Sequence, residues 1–276
     1  MAFGTLYIVA TPIGNLADAS PRSIEVLRAV DLIACEDTRT SATLFARFGI
    51  GTHAVALHEH NERQASAGLI DALRRGKSIA LVTDAGTPGL SDPGAELVAR
   101  AHREGIRVSP VPGPSAAAAA FSAAGFAGPQ FLFAGFLPAS GSARRKALEA
   151  LEGTWPVVLF EAPHRLGETL ADLLARFGPA REVMIGRELT KKFEEVARLP
   201  LGGAADWLAA APHRAQGEFV LVLAPGEAKG ADMVQAEKLL DGLLGKLSPS
   251  DAAKLAAKLT GAPKAILYRK ALERAK

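Results

Sequence analysis

Residues 78–111 read SIALVTDAGTPGLSDPGAELVARAHREGIRVSPV. A short apolar run, SIALVT, gives way to twelve residues, Thr83 to Gly94, that hold three Gly and two Pro. A helical pattern and a second β-branched run, RVSPV, follow. This is the order strand, loop, helix, strand, and it predicts a parallel α/β unit. SIALVT is apolar at every position but its ends, which suits a strand covered by helices on both faces. The Pro of Asp92-Pro93 would sit in the first turn of the following helix, where no needed donor is lost.

Working outward, the same alternation continues. TLYIV, DLIAC and AVAL precede this unit, and FLFAG, VVLFEA, EVMIG, EEVARL and EFVLVLA follow it. Ser20-Pro21 marks another helix start. The fold class expected is α/β, with a largely parallel sheet arrangement in two lobes. VPGPSAAAAAFSAAG lies between the fifth and sixth strands and marks the junction, so the lobes cover 1–113 and 114–225 with a cleft between them. After Ala224-Pro225-Gly226 comes a helical tail, 226–276. There MVQAEKLLDGLLGKL is amphipathic; Ser248 and Pro249 start a second helix, Gly261 ends it, and Pro263 opens a third. Ala257 and Gly261 suit a helix-turn-helix corner. A small capping bundle is the competing reading of this tail.

Composition narrows the function classes. The 276 residues are 49% hydrophobic, 22% charged and 6% aromatic, a globular balance. The longest uncharged stretch, Val108 to Ala143, is broken by Pro and Gly, so no membrane span is expected. The single cysteine, Cys35, excludes internal disulfides and paired-cysteine metal sites. The start MAFGTLYIVATPIGN lacks signal-peptide features, which predicts a cytoplasmic protein. Net charge is +3, yet residues 226–276 hold 10 Lys/Arg against 6 Asp/Glu, a net of +4, leaving 22 against 23 elsewhere. Lys254, Lys258, Lys264, Arg269, Lys270, Arg274 and Lys276 crowd into this tail, which points to nucleic acid.

Several familiar motifs fail. Gly76-Lys77-Ser78 has Asp71 where a phosphate loop needs Gly, and it precedes a strand. Gly49-Ile50-Gly51 lacks a third Gly, since residue 54 is Ala, and follows a helix, so no Rossmann fingerprint is present. His58 and His60 lack an obvious third metal ligand. Gly113-Pro114-Ser115-Ala116-Ala117 imitates a nucleophile elbow but has Ala for its second Gly, which leaves Ser115 as a helix cap. What remains are two loops at strand C-terminal ends, Thr11-Pro12-Ile13-Gly14-Asn15 and Thr83 to Gly94. Open α/β sheets bind ligands at that edge, and long Gly-rich loops let the backbone reach a ligand.

ATPIGNL, CEDTRTSATL, HEHNE, TDAGTPGLSDPG, VPGPSA and EAPHR, in this order and spacing, resemble the small-subunit ribosomal RNA methyltransferase I group of the tetrapyrrole methylase superfamily. The resemblance covers essentially the whole chain, and the tail is similar to that group's terminal helix-turn-helix segment. It implies transfer of a methyl group from S-adenosyl-L-methionine to the ribose 2′-oxygen of a cytidine in the decoding region of 16S rRNA. It also implies a two-lobed fold with an interlobe cofactor cleft and a homodimer, with the small ribosomal subunit as partner. Carried onto this sequence, it sets the cofactor against Pro12, Asp84, Gly86, Leu90, Ser115 and Ala116, and, in the second lobe, against Phe160, Glu161, Leu189 and Gly217.

A ribose hydroxyl is a weak nucleophile, so a positioned base should help. Glu36, Asp37, His58, Glu59 and Glu62 follow strand ends of the first lobe and are the candidates. Arg39 and Arg165 would suit phosphate, as would Lys254, Lys258, Lys264, Arg269 and Lys270 in the tail. No metal is required. Methylation of a small tetrapyrrole and a non-enzymatic RNA-binding role are the alternatives; the basic tail and the CEDTR and HEHNE matches argue against the first, and the second would need no rigid cofactor cleft, so failure to bind S-adenosyl-L-methionine would favour it.

Overall fold

A computed structural model describes residues 2–58, 60–226 and 233–274, with Val234 and Gln235 as backbone alone. The first five strands are β1 (Thr5–Val9), β2 (Leu32–Cys35), β3 (Ala54–Ala56), β4 (Ile79–Leu81) and β5 (Arg107–Val111). They form one sheet in the order β3-β2-β4-β1-β5, and every pairing is parallel. All five C-terminal ends therefore share one edge. Four helices connect them: α1 (Pro21–Ala29), α2 (Thr38–Phe48), α3 (Glu62–Arg74) and α4 (Ala95–Arg103).

Alternation along β4 shows why the run is apolar throughout. Ile79 and Leu81 join Leu69, Leu73 and Leu97 on one face, while Ala80 and Val82 join Leu27 and Leu44 on the other. Each face meets its own helices, so no position of the strand is left for a polar residue. Helix α1 begins as its sequence suggests, the Ser20 hydroxyl accepting from the Ser23 amide at 3.0 Å. Helix α4 does not. Its N-cap is Gly94, at φ 122°, so Pro93 stands outside the helix and the first amides find their acceptor elsewhere.

The second sheet holds β6 (Leu132–Phe136), β7 (Val157–Glu161), β8 (Glu182–Arg187), β9 (Glu195–Pro200) and β10 (Phe219–Leu223), in the order β6-β7-β10-β8-β9. Here the expectation of largely parallel pairing is corrected. Only β6 and β7 run parallel; β10 is antiparallel to both β7 and β8, and β8 to β9. The reason is topological. Apolar runs report burial on both faces, not direction, and β10 enters the sheet centre from the opposite end. Helix α5 (Ala116–Ala124) covers one face of this sheet, with Ala117, Ala120 and Ala124 against Val158, Met184 and Val222. The helices α6 (Gly141–Glu149), α7 (Leu166–Phe177) and α8 (Ala204–Ala209) complete the lobe. A buried guanidinium joins α6 to α7, where Arg144 meets Asp172 at 2.7 Å and Glu168 at 3.1 Å.

Both sheets belong to one compact unit, Met1–Leu151 with Pro156–Ala224. A second unit comprises Glu152–Trp155 and Pro225–Lys276. It contains α9 (Met233–Leu244), α10 (Pro249–Thr260) and α11 (Lys264–Arg274), packed around Leu240, Ala252, Ala253, Ala256 and Leu267. The Ser248 side chain caps α10, and Gly261, at φ 72°, ends it. No helix among the described residues is long and apolar enough to cross a membrane.

Candidate functional site

Three loops leave the shared edge of the first sheet and are tied to one another. Thr11 and Gly86 exchange backbone hydrogen bonds at 2.9 and 3.1 Å. The Thr11 hydroxyl donates to the Thr83 carbonyl at 3.2 Å, and the Thr87 hydroxyl to the Pro114 carbonyl at 3.0 Å. A fourth loop joins through Asp84, whose carboxylate accepts from the Asp37 amide at 3.1 Å. Residues 11–15, 36–37, 83–94 and 112–115 thus form one rigid rim.

Against that rim lies a cavity of about 330 Å³, lined on the other side by β7, β10 and the loop after β8. Its first-lobe wall includes Ile13, Gly86, Thr87, Leu90, Asp92, Ser115 and Ala116. Its second-lobe wall includes Phe136, Phe160, Glu161, Leu189, Glu218 and Val220. This mixture of apolar side chains with a few polar groups is typical of a small-ligand site.

Of the ten residues singled out for a cofactor, Gly86, Leu90, Ser115, Ala116, Phe160, Glu161 and Leu189 line the cavity. Pro12, Asp84 and Gly217 stand one residue outside the lining, next to Ile13, Ala85 and Glu218. Asp84 anchors the Asp37 loop instead. Gly217 admits a close neighbour: a Cβ there would lie 2.6 Å from the Glu188 Cγ, and the Glu188 carboxylate accepts from the Glu218 amide at 2.8 Å. Ser115 also caps α5, accepting from the Ala118 amide at 3.5 Å.

Among the acidic candidates, Glu36 lies close enough to Asp37, Asp84 and His58 for their charges to act on it. Glu36, Asp37 and Glu62 do not line the cavity, and Glu59 and Lys276 lie outside the described residues. Asp37 caps α2, accepting from the Arg39 amide at 2.8 Å, and pairs with the Arg39 guanidinium at 2.7 Å. Those hydrogen bonds hold its carboxyl down at about 2. Glu62 accepts from the Gly94 and Glu96 amides, supplying the cap that α4 lacks within its own loop. Burial pushes Glu36 up, partly offset by a hydrogen bond with the Asp84 backbone. His58 and His60 lie beyond the end of β3, their rings 6.1 Å apart, and no metal-holding group of three His, Cys, Asp or Glu occurs among the described residues.

Among the cavity residues that sequence reasoning passed over, two stand out. Asp92 faces the cavity with its carboxyl pushed up to about 7, by burial first and then by the anionic neighbours Glu36 and Asp84. Phe136 lines the cavity and is still 54% exposed. The available signals were an acid within the Gly-rich loop and an aromatic directly after a strand glycine.

The phosphate candidates divide by partner. Arg165 donates to the Leu137 carbonyl at 2.6 Å and lies 3.2 Å from the Glu161 carboxylate, close enough to pair though poorly aligned for a hydrogen bond. Arg39 is exposed beside Asp37. In the tail unit, Lys254, Lys258, Lys264 and Arg269 are exposed. Lys270 pairs with Glu237, as does Arg274 at 2.7 Å.

A sequence model of the Tetrapyrrole (Corrin/Porphyrin) Methylases matches residues 5–205, both sheets up to and including β9. The chain belongs to this family. Within these methylases it is similar to proteins carrying the RsmI C-terminal HTH domain, whose model matches residues 230–275. It is 49% identical over 278 residues to the Ribosomal RNA small subunit methyltransferase I of Pseudomonas aeruginosa, covering 99% of each chain. With the protein of the same name from Escherichia coli O157:H7 it shares 46% identity over 98% of this chain and 95% of that one. Among solved structures, diphthine synthase superimposes with TM-score 0.60 at 17% identity, over 96% of this chain and 99% of that one. Uroporphyrin-III-C-methyltransferase of Thermus thermophilus gives TM-score 0.56 at 21% identity, over 80% and 94%. These two show the shared methylase fold.

Proposed function

We propose that the chain is an S-adenosyl-L-methionine-dependent methyltransferase that modifies the ribose 2′-oxygen of a cytidine in the decoding region of 16S rRNA. The observation that carries this reading is the rim of cross-bonded loops closing on a 330 Å³ cavity, in a chain nearly half identical, end to end, to proteins named small subunit rRNA methyltransferases.

The lining fits the cofactor. Ile13, Leu90, Phe160, Leu189 and Val220 offer an apolar slot for an adenine, while Thr87 and Ser115 offer polar atoms for a ribose or an amino-acid end. Gly86 brings backbone to the cavity without a side chain. Ala116 adds to the lining, and Pro12, Asp84, Gly217 and the buried Glu161 complete the proposed set as supports of these walls. When bound, the cofactor supplies an electrophilic methyl group. The protein holds the acceptor in line, excludes water and receives a proton.

The proposed division of labour follows the chain: the lobes 1–113 and 114–225 bind the methyl donor, and the tail 226–276 contacts rRNA through Lys254, Lys258, Lys264 and Arg269. The exposed charges support that role. A ribosomal substrate supports a cytoplasmic location, and the superfamily resemblance supports a homodimer, to be checked by light scattering.

The test is incubation of purified protein and labelled methyl donor with small ribosomal subunits, followed by digestion to nucleosides. Labelled 2′-O-methylcytidine is the expected product; label in a base, or none, would reject the reading.

A further inference from the structure

Two irregular backbone positions face each other at the mouth of the cavity. Strand β6 slips its register against β7 between Phe133 and Gly135, and Gly135 takes φ 62°. A Cβ on Gly135 would lie 2.6 Å from the Ser91 Oγ, so a glycine is needed for the loop to come this close. Ser91 itself has φ 68°, uncommon for a residue with a side chain. Strain of this kind collects at functional sites, and bulges re-aim side chains beside them. The residue after each irregularity, Asp92 and Phe136, lines the cavity.

Their surroundings differ from those of Glu161, Glu218 and Phe160 in the same lining. Glu161 is buried and accepts from the Thr169 hydroxyl at 2.6 Å and the Ala162 amide at 2.8 Å. Glu218 pairs with Lys191 at 2.9 Å. Asp92 has no hydrogen bond or ion pair among the described residues, and the charged groups acting on it, Glu36 and Asp84, are both acids. Phe160 meets Phe133 and Phe136 edge to face, with centroids at 5.0 and 5.6 Å, and is half-buried, whereas Phe136 leaves half its surface open.

We propose that Asp92 and Phe136 form the acceptor subsite of the cavity, where an unstacked nucleoside lays its base on the Phe136 ring and offers its ribose hydroxyl to the Asp92 carboxylate. This rests on the methyltransferase reading above. Single-stranded RNA is commonly held by stacking splayed bases on aromatic side chains. In the reaction the ribose oxygen bonds to the donor's methyl carbon while the carbon–sulfur bond breaks and sulfur keeps the electron pair. The hydroxyl proton passes to Asp92. The sulfonium and carboxylate charges disappear together, which favours the step in a partly desolvated cavity. With its carboxyl raised toward neutrality, Asp92 can hold that proton at working pH.

The test uses the full chain and four variants, with melting temperature as the check of folding. Phe136→Ala should weaken binding of a cytidine-containing rRNA fragment, measured without methyl donor, by roughly 5- to 150-fold, the range of one lost stack. Phe136→Trp should restore it and Phe136→Leu should not. Asp92→Asn should lower kcat roughly 10²- to 10⁴-fold at pH 8 and remove the ionisation near neutrality from the pH profile of kcat, with RNA binding retained. Leucine as effective as tryptophan at residue 136 would make that side chain an apolar cover and overturn the stack. An Asp92→Asn enzyme with undiminished kcat would overturn the proton acceptor. If the wild-type protein binds the donor but leaves the ribose of cytidine unmethylated, the reading beneath has failed, and the subsite with it.

Discussion

One oxygen of the Glu62 carboxylate accepts the backbone amides of both Gly94 and Glu96, each at 2.9 Å. Helix α3 therefore closes the Gly-rich loop by capping the first turn of α4. Replacing Glu62 with Ala should lower stability by about 1 to 3 kcal/mol, since hydrogen bonds to a charged group are lost at a helix N-terminus. Urea unfolding checks this. The corresponding Gln variant should recover part of the loss and turn over near the wild-type rate; a large kcat defect in a stable Gln variant would return Glu62 to the chemistry.

Gly86 combines φ 86° with a paired backbone, and its missing Cβ would project to within 3.4 Å of the Ile13 side chain. Alanine there must adopt a strained conformation at a cost of about 1 to 3 kcal/mol. Gly86→Ala should still fold and should bind S-adenosyl-L-methionine at least tenfold more weakly by calorimetry. Undiminished affinity would take this part of the loop out of the donor site.

Stability should respond to pH in opposite senses at two aspartates. Asp37 is held down at about 2, so its contribution is full above the ordinary carboxylate range and is lost as pH falls toward 2. Asp92 is pushed up to about 7, so the folded chain keeps a proton that the unfolded chain releases. Its effect is a decline in stability as pH rises from about 4 toward 7. Asp92→Asn should flatten that decline, and Asp37→Asn should lose stability only above the acid range. Urea midpoints from pH 2.5 to about 8 separate the two.

The tail's cations should fall into two groups. Neutralising Lys254, Lys258, Lys264 or Arg269 should weaken rRNA binding and remove about 0.7 to 0.9 per phosphate contact from the slope of log affinity against log salt. Lys270 and Arg274 are engaged by Glu237 within the bundle. Lys270→Ala should therefore lower the melting temperature of this unit more than the salt slope. A slope unchanged across the four exposed sites would make the tail a packing element.

Strand positions were legible because each apolar run is covered on both faces, as Ile79 to Val82 illustrate. The loops stood out because their Gly and Pro residues have few other uses at a strand's end. Direction was not legible: Phe219 to Leu223 reads the same whether it pairs parallel or antiparallel. Nor was the division among carboxylates. Glu36, Asp37, Glu62 and Asp92 all lie in loops or helix starts beyond strand ends, and what separates them is partnership: Asp37 binds its near neighbour Arg39, but the reach of Glu62 to Gly94 and the pressure of Glu36 and Asp84 on Asp92 span distant parts of the chain, which local patterns do not encode. Phe136 was hidden by a register slip that only the paired neighbour strand reveals.

The place of β10 carries a consequence for biosynthesis. The first sheet has all its strands once Val111 has left the ribosome, but the second has its central strand only after Leu223 has emerged. Throughout that interval β7 and β8 each present an open edge, the kind of surface on which stray chains pair. Nascent chains stalled just before residue 219 should be captured by chaperones and cut by proteases, and chains stalled far enough beyond 223 to clear the exit tunnel should resist both.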